Sequence, residues 1–194
     1  MSYLKKMEYE IVLKDSFWVI RNCSKCGRKT YFKNTRKFRV NTNGNKLDVW
    51  LIYQCEECKN TLNISIYERA KISFIPKEEY QCFLNNDEQF AEIHGKNMQL
   101  FRKNKATIDF EKVNYDFIKL NETMEYGDFD EQIVIAINNP YQLKIRPEKQ
   151  IAEILGVSRS QVKKLLEKGE MKLKTKLPQF LSVSVNVEKF PKTD

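Results

Sequence analysis

The N-terminal part of the chain consists of short runs in which hydrophobic and polar residues alternate. β-Branched and aromatic residues dominate EYEIVL, FWVIRN, KFRVN, DVWLIYQC and TLNISIYE, and turn residues separate these runs. Such alternation is typical of half-buried β-strands. Asn43 and Gly44, between KFRVN and DVWLIYQC, form a strong hairpin signal. Residues 1–75 are therefore predicted to form an antiparallel β module.

Aromatic residues in this β module have two interpretations. We expect Trp18 and Trp50, with Phe38 and Tyr53, to form its hydrophobic core. The alternative is that an exposed subset of these rings stacks on a ligand such as a nucleic-acid base. His94, the single histidine, lies near a predicted helix C-terminus, where we expect its charged form to be favoured by the helix dipole.

The pattern changes to helical spacing at Pro76 and returns to strand character before Asn138. PKEEYQCFL begins with proline and acidic residues, and NNDEQFAEIHG runs from capping residues to a terminal glycine. KATIDFEKV and EQIVIAI then have strand composition. We expect a mixed helix and strand segment over residues 76–140, with a module boundary in NNPYQLKIRP.

The stretch RPEKQIAEILGVSRSQVKKLLEKGEMKLKTK, residues 146–176, predicts two short helices and a strand. Pro147 suits the first helix start and Gly156 its end, while Ser158 suits the cap of the second helix and Gly169 its end. The aliphatic residues of the two helices fall on one side of each, which predicts that the helices pack together. With a last strand in SVSVNV, this module is predicted over residues 141–194.

The net charge of +8 is concentrated in this last module. Residues 141–194 contain twelve Lys and Arg against six Asp and Glu, or +6, which leaves +2 for residues 1–140. A local basic excess suits a polyanion such as nucleic acid, although a solvated lysine-rich surface has the same composition. The chain has no run of about 18 uncharged apolar residues and no apolar stretch of signal-peptide length at its start, so we expect a cytoplasmic protein without a membrane partner.

Four of the five cysteines form two CxxC pairs. CSKC contains Cys23 and Cys26, CEEC contains Cys55 and Cys58, and 28 residues separate the pairs. Two such turns can present four thiolates to one tetrahedral Zn²⁺, and the predicted hairpin would return the second pair to the first. We expect a structural zinc ribbon, with a redox centre or an iron site as alternatives. Cys82 is expected to be a small buried apolar residue.

Two families share features with residues 146–176. QIAEILGVSRSQVKKLL resembles a DNA-binding helix-turn-helix, with Ala152, Gly156 and Val162 at the expected offsets. The stretch from Arg146 through SRSQVKKLLEKG to EMKLK resembles, over a greater length, the αL RNA-binding motif of small-subunit ribosomal protein S-four and of pseudouridine synthases. That second resemblance implies two helices and a strand that bind structured RNA.

The candidate nucleic-acid ligands are basic and hydroxyl side chains of the two helices. Lysine and arginine bind phosphates, and serine hydroxyls order the loop or add hydrogen bonds. These candidates are Arg146, Lys149, Ser158, Arg159, Ser160, Lys163, Lys164 and Lys168.

The combination of a CxxC knuckle, KFRVNTNGNKLDVWLIYQCEEC and YERA resembles a family of bacterial proteins known only as a domain of unknown function. The sequence as a whole predicts an α+β protein: an antiparallel zinc ribbon, a mixed middle segment and an αL-like module. Its expected function is non-enzymatic RNA binding, since no phosphate-binding glycine loop or nucleophile motif occurs. A DNA-binding regulator and a zinc-stabilised protein-interaction module are the alternatives.

Overall fold

Strands dominate the architecture. The computed structural model describes residues 2–127 and 132–186. Within them lie ten strands: β1 (Ser2–Leu13), β2 (Val19–Cys23), β3 (Arg28–Asn43), β4 (Lys46–Cys55), β5 (Thr61–Lys71), β6 (Thr107–Ile108), β7 (Tyr115–Gly127), β8 (Gln132–Asn138), β9 (Met171–Leu177) and β10 (Phe180–Asn186). The five α-helices are short: α1 (Lys77–Leu84), α2 (Glu88–Gly95), α3 (Met98–Lys103), α4 (Pro147–Leu155) and α5 (Arg159–Glu167). Two 3-10 turns lie at Ile72–Phe74 and Phe110–Lys112.

The chain divides into two compact units. A central unit comprises residues 13–114, and a terminal unit combines residues 2–12 with the described residues from 115 onward. Each unit contains one five-stranded sheet. The module boundaries predicted after residues 75 and 140 fall inside these units rather than between them.

The central sheet has the strand order β5-β4-β3-β2-β6, and each strand is antiparallel to its neighbours. The predicted hairpin is confirmed, with Asn43 opposite Lys46 and a positive φ of 62° at Gly44. The turn therefore begins at Gly44, one residue later than the Asn-Gly pattern suggests. A bulge between Asn34 and Lys37 shifts the register of β3 against β4.

An aromatic core lies between the central sheet and its helices. Phe38 of β3 packs edge-on against Phe83 of α1, with ring centroids 4.9 Å apart. Tyr53 is fully buried against Phe101 of α3, and its hydroxyl donates to the carbonyl of Phe17 at 3.0 Å. These contacts fix one face of the sheet as the core face.

Two expectations about side chains in this unit are corrected. Phe38 and Tyr53 are core residues as predicted, but Trp18 and Trp50 are only half-buried. His94 packs against the ring of Phe90, with centroids 4.6 Å apart, and burial lowers the pKa of His94 to about 4. The neutral imidazole therefore predominates at pH 7, which disfavours the expected charge contact of His94 with the helix end.

The terminal sheet has the strand order β7-β1-β8-β10-β9. Strand β1 pairs in parallel with β8, where Leu4 is opposite Gln132, while β10 is antiparallel to both β8 and β9. The two predicted C-terminal helices are confirmed: Gly156 ends α4 in a left-handed conformation, and Ser158 begins α5 with a reciprocal capping box.

The predicted α+β class with an αL-like module is nevertheless wrong. Strands predominate over helices in the described residues. The strand after α5 is not the end of a small separate module, because β9 is the edge of a sheet whose other members include the N-terminal strand β1. This sheet therefore combines strands from both ends of the chain, and local sequence patterns carry no information about such distant neighbours. The last residues of the predicted C-terminal module, 187–194, lie outside the described residues.

A close approach at Gly95 joins α2 to the central sheet. The Gly95 carbonyl accepts a hydrogen bond from the Phe17 N–H at 2.8 Å. Asn34 Nδ2 donates to Ser16 Oγ at 2.9 Å and to the Ala91 carbonyl at 3.0 Å. A Cβ atom at position 95 would lie 2.2 Å from Ser16 Oγ and 2.6 Å from Asn34 Nδ2. Only glycine fits this position without displacing that network.

The substitution Gly95→Ala is therefore expected to destabilise the protein by about 2–3 kcal/mol, as overpacking of a filled site does. Urea unfolding followed by circular dichroism measures the change. Gly44→Ala is the control, because nothing lies within 4 Å of a Cβ there and the positive φ of 62° alone should cost about 1 kcal/mol. Equal losses of unfolding free energy in the two variants would show that the close contacts at Gly95 do not contribute to stability.

Candidate metal centre

The two CxxC sequences form matching turns at the ends of two strands. Cys23 is the last residue of β2 and Cys55 the last residue of β4. In the first turn the Gly27 N–H donates to the Cys23 carbonyl at 2.9 Å, and in the second the Lys59 N–H donates to the Cys55 carbonyl at 3.1 Å. Gly27 and Lys59 both have positive φ, 70° and 60°. The same backbone turn thus presents each thiol pair.

The sheet brings these turns together. Strand β3 pairs with β2 on one side and with β4 on the other, so that Phe32 lies opposite both Val19 and Cys55. The Glu56 N–H donates to the Tyr31 carbonyl at 2.9 Å, which extends this pairing into the second turn. The long hairpin between the cysteine pairs therefore runs out from the cluster and returns to it.

The four sulfur atoms of Cys23, Cys26, Cys55 and Cys58 all lie within 4.8 Å of one another. Cys23 Sγ is 3.4 Å from Cys58 Sγ, and Cys26 Sγ is 3.9 Å from Cys55 Sγ. A tetrahedral ion with metal–sulfur bonds of about 2.3 Å separates its sulfurs by about 3.8 Å. The cluster fits such an ion, and all four cysteines are free thiols. Convergence of the two pairs, predicted from the spacing, is confirmed.

Polar groups around the sulfurs favour the thiolate form at two positions, Cys23 and Cys55. The Thr30 hydroxyl lies 3.3 Å from Cys55 Sγ, and Thr30 is itself buried. Burial raises the pKa of Cys55. Hydrogen bonds from the Cys58 N–H, the Thr30 hydroxyl and the Glu57 N–H have a larger effect in the opposite direction and lower this pKa to about 6. Because metal ligands must be deprotonated, Cys55 is well prepared to bind a cation.

Cys26 has the opposite tendency. Its contact with the Cys58 thiol and its burial raise the pKa of Cys26 above its ordinary value. Asn60 Nδ2 lies 3.9 Å from Cys23 Sγ and donates to Ser24 Oγ at 3.1 Å, which ties the two turns together near the sulfurs. Four thiolates this close repel one another unless a cation lies between them.

The candidate nucleic-acid ligands lie on the helix pair of the terminal unit. Arg146 precedes α4, Ser158 caps α5 with its Oγ 2.9 Å from Ser160 Oγ, and Lys168 follows α5. Arg159, Lys163 and Lys164 are exposed on α5. The structure therefore presents most of these side chains to solvent, and their binding to nucleic acid stays a prediction.

Two of these lysines have intramolecular partners. Lys149 is half-buried, with Nζ 5.2 Å from the Tyr115 ring centroid and 3.6 Å from Glu153. Contact with the Tyr115 hydroxyl is the main cause that raises the pKa of Lys149. Lys163 lies 3.7 Å from Glu167.

Three further exposed lysines were not among the nucleic-acid ligands predicted from the sequence. Lys172, Lys174 and Lys176 are exposed on the edge strand β9. The alternation in MKLKTKL was visible in the sequence and could have identified them.

Residues 40–177 match the family described as "Protein of unknown function (DUF1062)". The chain belongs to this family. The matched region includes the second cysteine pair and the helix pair α4–α5, whereas Cys23 and Cys26 precede it. No curated protein and no solved structure matches the chain. Among the described residues, no helix is long and apolar enough to cross a membrane.

The purified protein is expected to contain one tightly bound metal ion per chain, and Cys26→Ser should reduce that content and lower the melting temperature. The reason is that one of four ligands is lost and three thiolates remain crowded without their cation. Elemental analysis and thermal unfolding measure both effects. Cys82→Ser is the matched control, because Cys82 on α1 is not part of the cluster. Equal metal content in Cys26→Ser and wild type would contradict the four-thiolate site.

Proposed function

We propose that the protein is a cytoplasmic, zinc-stabilised and non-enzymatic RNA-binding protein. Zinc joins the two cysteine turns of the central unit, and the exposed basic face of α5 binds structured RNA. The observation that carries the zinc assignment is the convergence of four sulfurs at separations that a tetrahedral ion requires. A reducing cytoplasm would keep these thiols available to the metal.

A structural role for the metal follows from its ligands. Four thiolates complete the tetrahedral coordination of Zn²⁺ and leave no position for a water or a substrate. When bound, the ion supplies four bonds that cross-link the β2–β3 turn to the β4–β5 turn. No other group of three or more His, Cys, Asp or Glu at metal-binding distance occurs among the described residues.

Charge and burial support the RNA surface. Helix α5 buries Val162 and Leu165 and exposes Arg159, Lys163 and Lys164, so its basic side chains face solvent. Residues 141–186 contain ten Lys and Arg against four Asp and Glu, a net charge of +6. Phosphates of a structured RNA would neutralise this charge and release counterions.

A second candidate is binding to duplex DNA. Helices α4 and α5 are joined by a three-residue turn, residues 156–158, in which Gly156 has a φ of 68°. Val162 and Ile151 are fully buried, as the packed positions of a helix-turn-helix are. In that arrangement the exposed face of α5 would enter the major groove. A protein-interaction module, with an acidic protein at the same face, is the third candidate.

Binding of the zinc-loaded full chain to a structured RNA pool and to duplex DNA across a salt series tests this proposal. The variant Arg159→Ala, Lys163→Ala should bind RNA about tenfold more weakly, and the slope of log affinity against log salt should decrease by about 2 because two phosphate contacts are lost. The control Lys77→Ala, Arg102→Ala removes the same charge from exposed positions of the central unit and should retain binding.

Selective binding to particular duplex sequences would favour the regulator instead. Absence of binding to either nucleic acid at low salt would overturn both nucleic-acid proposals and favour the protein-interaction module. Equal affinity of the α5 variant and wild type would exclude α5 as the RNA-binding surface.

A further inference from the structure

The central sheet has a second face, which we call the open face. Helices α1–α3 pack on the core face, which carries Phe38 and Tyr53. Strand register places Tyr31 opposite Ile20, and Arg39 opposite Trp50, on the other face. Tyr31 and Arg39 are exposed there, and Trp50 is half-buried. Aromatic and basic side chains thus alternate with the core residues along the same strands.

A groove of about 560 Å³ lies on this face. Its charged lining consists of four cations and one carboxylate: Lys33, Lys37, Arg39, Lys59 and Glu56. Lys33 lies 3.6 Å from Glu56, which offsets one positive charge. Lys37 and Arg39 form no ion pair with any residue that the structure describes. The groove therefore has a net charge of +3, which requires an anionic partner or solvent ions.

Cations and rings are also in contact beside the groove. Lys112 Nζ lies 3.5 Å from the Tyr31 ring centroid and 4.4 Å from the Trp18 ring centroid. Lys33 Nζ lies 4.2 Å from the same Trp18 ring. Cation–π contacts of this kind hold ammonium groups at the surface without neutralising them. Trp18 therefore positions two cations, Tyr31 lies beside one of them, and Trp50 offers a ring opposite Arg39.

We propose that the open face of the central sheet binds single-stranded nucleic acid, with phosphates at Lys33, Lys37 and Arg39 and bases stacked on Tyr31 and Trp50. Proteins that bind single strands combine a positive groove with aromatic rings on which successive bases stack. An acidic peptide would match the charge, but it carries no bases for these rings. This site lies in the other unit from α5 and does not depend on the RNA proposal for that helix.

Fluorescence anisotropy of a labelled twelve-nucleotide oligouridylate with the zinc-loaded full chain tests the proposal. The variant Lys37→Gln, Arg39→Gln should bind about tenfold more weakly, and the salt slope should decrease by about 1.4 because a single strand releases about 0.7 counterion per phosphate contact. The control Lys77→Gln, Arg102→Gln removes equal charge from exposed positions on α1 and α3 and should bind like wild type.

A separate variant tests the stacking role. Tyr31→Leu should weaken binding about tenfold, as loss of one base–aromatic stack does, and should leave the salt slope unchanged because no charge is removed. Metal content and circular dichroism of each variant verify that the protein is folded. A purely electrostatic site would not respond to this substitution.

Several outcomes would overturn the proposal. The first is wild-type affinity for oligouridylate in the Lys37→Gln, Arg39→Gln variant. The second is a loss of affinity in the control as large as in that variant. The third is competition by polyglutamate that matches competition by unlabelled oligouridylate. The last result would identify an acidic protein segment as the partner. The variant Arg159→Ala, Lys163→Ala separates the two proposals, because it should reduce binding of structured RNA and leave binding of oligouridylate intact.

Discussion

The central unit depends on the approach of four cysteine sulfurs to within 4.8 Å of one another. Each pair extends from the end of a strand, and β3 lies between those strands and pairs with both. Because thiolates at this distance repel, the arrangement is stable only when the sulfurs are protonated or share a cation. A bound ion would thus stabilise the sheet where its two turns would otherwise separate.

The same sheet then separates two kinds of surface. Its core face contains Phe38, Tyr53 and the helices that cover them, and these contacts provide the hydrophobic stabilisation of the unit. Its open face carries the cations and rings that remain accessible. Since alternate residues of a strand point to opposite faces, rigid packing on one side fixes the side-chain positions on the other. In the proposed function, a metal ion would stabilise the sheet and the sheet would present the binding surface.

Local signals in the sequence predicted local structure well. The CxxC turns, the hairpin at Gly44 and the ends of α4 and α5 each depend on a few neighbouring residues. The predicted fold class was wrong because β1 pairs with β8, and this pairing brings together residues as distant in the sequence as Leu4 and Gln132. The face on which each β3 side chain lies depends on the bulge between Asn34 and Lys37, and alternation alone does not reveal it.

X-ray absorption at the zinc edge of the purified chain tests whether the four cysteines hold a structural zinc ion. A single zinc environment of four sulfurs at about 2.3 Å is expected, with no nitrogen or oxygen atom bonded to the metal. Zinc with fewer than four sulfur neighbours, or purified protein that contains no zinc and retains its full thermal stability with a chelator, would contradict a structural four-thiolate zinc site.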